Sequence, residues 1–141
     1  MTRRTKHLTP EQRLDAVPIL EELVSRPSFH VAMLWIKQCG ARPARNGYPV
    51  SVGSFCFFLE LTWGAIVDAQ TMAVALETAG YRVGGRTFPG CGRRELAVNI
   101  KAGSINQTPW RTESPLPERW AWARDAVPIA GAAGLYANLL H

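Results

Sequence analysis

The chain has 141 residues, 47% hydrophobic and 19% charged, which suits one core-bearing domain and leaves no room for a multidomain enzyme. Wholesale disorder is excluded, because it requires low hydrophobicity together with high net charge. Sixteen Lys and Arg against eleven Asp and Glu give +5, a balance that favours anionic partners: nucleic acid, acidic proteins or a membrane surface.

Residues 1–8 read as a basic arm carrying Arg3, Arg4 and Lys6. The run Thr9-Pro10-Glu11-Gln12 is a capping-box pattern with Pro at the first helical position, so a helix opens there. Leu14, Val17, Leu20, Leu23 and Val24 give it an apolar face, and Pro18 predicts a kink or a break into two short helices. Arg26-Pro27 ends this segment, and Ser28 is placed to cap a second, very apolar helix that stops at Cys39-Gly40. Residues 41–49 form a basic loop with Arg42, Arg45 and the turn pair Asn46-Gly47. From Ser54 to Trp63 strand and helix periods both fit; length and the following Gly64 favour helix. Asp68 caps the next helix, to about Ala79, with Met72, Ala75, Leu76 and Ala79 on one stripe. After Gly80, residues 86–100 read as a hairpin turning at Pro89 to Gly92, its second strand alternating Leu96, Val98 and Ile100 with smaller residues. Residues 101–117, with four Gly and Pro breakers among polar residues, read as a linker or surface wrap. Residues 118–127 and about 129–140 read as short helices. The expected architecture is mainly α with one small β-hairpin: an arm at 1–8, a helical domain at 9–103 and a Pro- and Trp-containing extension at 104–141.

Cys39, Cys56 and Cys91 are odd in number and widely spaced, so neither a disulfide framework nor a zinc site is expected, and reduced thiols fit a cytoplasmic protein. No signal peptide pattern follows the N-terminal cations. The most apolar stretch, Val50 to Val67, contains Glu60 and is short of the roughly 20 residues of a membrane span, so no membrane contact is expected. His7, His30 and His141 are scattered, no carboxylate shares a helical spacing with them, and Gly84 to Gly92 lacks the Lys of a phosphate loop. Cys91 beside Arg93 and Arg94 could carry a lowered pKa, but no partner base accompanies it. Neither catalysis, a cofactor nor a metal is expected.

Two segments carry a resemblance. TMAVALETAGYRV is similar to the third helix of winged helix-turn-helix modules, and RTFPGCGRRELAVNI looks like the wing that follows it. Residues 54–100 thus resemble a winged helix, a unit found in bacterial regulators and in replication proteins of phages and plasmids. The resemblance implies a third helix in the major groove and a wing on phosphate or minor groove. It would place Gln70 and Thr71 at base edges, with Val74, Glu77 and Thr78 on the same solvent face. Arg82, Arg86, Arg93 and Arg94 would neutralise phosphates, with Arg42 and Arg45 extending the surface. Thirteen of the sixteen cations are Arg, whose planar fork suits phosphate, although a GC-rich genome enriches Arg as well. The reader helix itself carries no cation, which is a departure from most sequence-specific readers.

The expected function is non-catalytic binding of nucleic acid, DNA before RNA, as a regulator or replication accessory of a phage, plasmid or bacterium. The alternative is a protein-docking module or inhibitor of a larger nucleic-acid-processing complex. Trp110, Trp120 and Trp122, interleaved with Arg111, Arg119 and Arg124, are candidates for stacking bases or anchoring such a partner, unless they merely seal the domain. The small-residue run Gly131 to Gly134 beside Leu135 and Tyr136 is a candidate dimer seam.

Overall fold

The computed structural model describes residues 7–112, 120–125 and 128–141; Arg3, Arg4, Lys6 and Arg119 lie outside them. Helix α1 (Pro10–Ser25) starts with the capping box: Thr9 Oγ1 accepts from Gln12 N at 3.2 Å, and Gln12 Oε1 accepts from Thr9 N at 3.0 Å. Pro18 does not split α1 into two helices. Its ring and the carbonyl of Leu14 that loses a donor both lie on the exposed side, where water can replace the missing bond.

Helix α2 (Pro27–Cys39) follows at once, and Ser28 does not cap it. Arg26 is the N-cap residue, and the Asp125 carboxylate, brought in from the far end of the chain, takes the Ser28 backbone N–H instead. Ser28 itself is buried. Gly40, at φ 54°, closes α2 in the left-handed conformation. A short strand β1 (Val50–Ser51), absent from the sequence reading, leads into α3 (Val52–Trp63), which begins two residues before the expected start because Ser51 caps it. Asp68 Oδ1 accepts from Thr71 N at 2.7 Å and caps α4 (Ala69–Thr78), as its position predicts. The same carboxylate pairs with Arg26 at 3.3 Å, tying the start of α4 to the start of α2.

Strands β2 (Val83–Thr87) and β3 (Arg94–Val98) form the expected antiparallel hairpin, and β1 pairs with β3, giving the order β1-β3-β2. Val83, Leu96 and Val98 turn inward to the helices. Helix α4 is the centre of the molecule: α1, α2, α3, β2, β3 and the turn at Ala132–Leu135 all touch it. Thr71 to Glu77 are consequently buried without a break. That fits a helix whose sequence from Met72 to Leu76 is wholly apolar.

The extension joins the same core through Ile105, Ala123, Ile129, Leu135 and Tyr136. Helix α5 (Thr108–Arg111) inserts Trp110 between Trp35 and Phe58, with centroids 5.7 and 4.5 Å away. The two helices expected after residue 117 do not form within the described residues. Residues 120–122 are a turn, and Arg124 bridges in parallel to Ile66. Beyond Gly131, at φ 83°, the chain makes only the 3-10 turns Ala132–Leu135 and Ala137–Leu139. Gly131 and Gly134 interrupt what hydrophobic spacing alone reads as one helix. Among the described residues no helix is long and apolar enough to cross a membrane.

Candidate nucleic-acid interface

The chain from Lys37 to Pro49 and from Arg82 to Lys101 holds eight cations and one acid, Glu95. Backbone pairing folds the two segments together. Lys101 N donates to Arg42 O at 2.8 Å, Ala44 N donates to Asn99 O at 2.6 Å, and Pro43 bridges to Ile100. The Tyr81 hydroxyl donates to Ala41 O, and Asn99 Oδ1 accepts from Arg82 N at 2.6 Å. These bonds hold the loop after α2 along the sheet. Arg42, Arg45, Arg82, Arg86, Arg93, Arg94, Lys37 and Lys101 are all exposed there.

The glycine pair in β2 brings separate covers close to the strand on its two faces. A Cβ on Gly84 would fall inside the Tyr48 ring, and one on Gly85 would meet Leu139 O. On the Tyr48 side, Arg86 Nη1 donates to Tyr48 O at 3.3 Å and to Pro49 O at 3.4 Å, and its guanidinium lies 4.6 Å from the Phe88 ring centroid. On the other side Arg94 Nε donates to Leu139 O at 2.7 Å, so the C-terminal turn rests on the hairpin. These bonds fix both stems and leave other guanidinium N–H groups of each arginine available. Arg42, Arg45, Arg82 and Arg93 meet no carboxylate among the described residues. Clustered cations without neutralising acids set up a positive potential that attracts polyanions.

The hairpin tip is built by Gly90 and Gly92, at φ 83° and 68°. Between them Cys91 is exposed. Its thiol is not activated by its arginine neighbours: a hydrogen bond with Glu95 pushes its pKa up, and Arg93 only partly opposes this.

Two expectations are corrected. Helix α4 does not turn Gln70, Thr71, Val74, Glu77 and Thr78 to solvent as one face. Thr71, Val74 and Glu77 are buried, Gln70 is half-buried, and Thr78 alone of the five is exposed. The extension covers Glu77, where Tyr136 donates its hydroxyl to Oε1 and the His7 ring stacks on Tyr136 with centroids 5.0 Å apart, and α1, α2 and α3 pack on the rest of the helix. Nor are the three tryptophans one surface. Trp110 sits in the aromatic cluster and donates Nε1 to Cys39 Sγ at 3.1 Å. Trp120 stacks on Trp63 at 5.3 Å, which leaves Trp122, 62% exposed, as the open indole.

Sequence reasoning overlooked Tyr48, Asn99 and Lys101, which the fold places beside the arginines. Tyr48 follows a turn pair and Lys101 closes an alternating strand, so both had a local signal. Asn99 had none, because its role is to join two distant backbones. A cleft of about 550 Å³ is lined by Pro43, Tyr48, Glu77, Arg82, Asn99 and Leu139 among others. No family model, curated protein or solved structure matches the chain.

Proposed function

We propose that this protein binds nucleic acid, DNA before RNA, through its hairpin and the 41–49 loop, as a non-catalytic regulator or replication accessory. The observation that carries the reading is the eight-to-one excess of cations over acids in two segments folded against each other. A helix pair leading directly into a basic hairpin supports the winged-helix resemblance. The cover over α4 departs from it and moves the contact from reader helix to hairpin. Binding is therefore governed by phosphate, and sequence preference through α4 is weak.

The test is a salt titration of binding to duplex DNA by fluorescence anisotropy. Each phosphate neutralised contributes about −0.9 to the log–log slope, so the double variant Arg93→Ala, Arg94→Ala flattens it by about 1.8. Gln70→Ala leaves both slope and sequence preference unchanged. A slope untouched by the arginine changes removes the hairpin from the interface. The docking-module reading is favoured by one different observation: Phe57 and Leu61, one turn apart on α3, are 60% and 59% exposed. Recovery of a stoichiometric protein partner after nuclease treatment favours that reading, and loss of the partner favours nucleic acid.

A further inference from the structure

Helix α2 and the turn between α4 and β2, at Ala79 and Tyr81, line an apolar groove of about 600 Å³, within the usual range for pockets that accept ligand-sized groups (about 300–1,000 Å³). Met33, Leu34, Ile36 and Tyr81 line it, with Lys37 and His30 at the rim. Leu34 is 48% exposed, although it is large and apolar. The surroundings are basic. No Asp or Glu occurs between Glu22 and Glu60, and exposed Arg42 and Arg82 lie within two residues of the groove-lining Gly40 and Tyr81.

The complementary surface is on α1. Leu14 is 75% exposed and Val17 is 47% exposed, side by side on the outer face. Glu11, Asp15, Glu21 and Glu22 are exposed around them, against one cation in the helix, Arg13. An apolar pair ringed by carboxylates is the form of amphipathic helix that a basic-rimmed apolar groove accepts. Leu14 cannot serve the groove of its own copy. The opposite stripe of α1, with Ala16, Leu20 and Leu23, is packed into the core and fixes Leu14 outward.

We infer that the outer face of α1 docks into the α2–Tyr81 groove of a second copy of this chain, Leu14 and Val17 entering the groove and the α1 carboxylates meeting Lys37, Arg42 and Arg82. Each copy carries both patches, so two copies that exchange them reciprocally close into a pair, and copies that use them head to tail build open chains or rings. The contact rests on different observations from the nucleic-acid reading; Lys37, Arg42 and Arg82 serve both, while the hairpin arginines Arg86, Arg93 and Arg94 lie outside this contact.

Sedimentation velocity of the full-length protein tests it. The wild-type mass rises with concentration, and raised salt suppresses the rise by screening the charges. Leu14→Asp and Leu34→Asp change exposed residues, so each variant keeps the wild-type circular dichroism spectrum and each is monomeric. Mixed in equal amounts, they recover a species of twice the monomer mass and no larger. One variant then supplies the intact groove and the other the intact α1 face. A wild-type protein monomeric at every concentration overturns the inference. So does a variant that associates as wild type does, or a mixture that stays monomeric.

Discussion

Thr71 Oγ1 is buried in α4 with no hydrogen-bond partner among the described residues. A hydroxyl so placed costs about 1–3 kcal/mol of unreturned desolvation. Thr71→Val keeps the shape and removes that cost, so the thermal midpoint rises; a fall would mean that the hydroxyl is satisfied. The thiols of buried Cys39 and half-buried Cys56 have a consequence in alkali. Burial pushes Cys39 from its ordinary 9.0 up to about 11, against a partial lowering by the Trp110 N–H. Burial, reinforced by Asp68, pushes Cys56 up to about 12. The unfolded chain releases these protons near the ordinary value while the folded chain keeps them. Their contribution to stability is therefore whole below about pH 9 and is lost as pH rises toward 11 and 12. Thermal midpoints measured from about pH 8 to about pH 10.5 should fall, and fall less in Cys39→Ala; equal slopes would remove Cys39 as the cause.

At the scale of elements, what the sequence made legible was local. Thr9, Asp68, Gly40 and the Pro89 to Gly92 turn each act within a few residues, and each stands where its chemistry required. The start of α2 was not legible because its cap is Asp125, nearly one hundred positions away. The fate of α4 was hidden for the same reason. Its stripe of Met72, Ala75, Leu76 and Ala79 announced one buried side, but the other is closed by Tyr136 and by α1, which no spacing inside α4 records. Of the candidate site, the arginines of loop and hairpin were readable because turn residues hold them outward; Gln70 and Thr71 were misread because α4 is packed on by elements remote from it in sequence, α1 and α2 among them. The doublet Gly84-Gly85 separates the two covers of β2. Gly84→Ala should loosen the 41–49 loop and Gly85→Ala the 137–141 turn, as read by amide hydrogen exchange of each segment. Exchange that changes in both segments for either variant would show that the covers move together.

At the scale of the whole molecule, charge is divided between elements. Acidic side chains gather on α1, while the loop after α2 and the hairpin are almost wholly basic. The division leaves the exposed apolar residues of α1 and of α2 in surroundings of opposite sign, which is the condition for one to meet the other and not itself. A chain of copies linked head to tail in that way has direction. It presents one hairpin per copy, each at the same angle, and a polyanion lying alongside would encounter them in regular succession. Filling one site then favours filling the next, so the occupancy of a long duplex would rise more steeply with protein concentration than that of a short one.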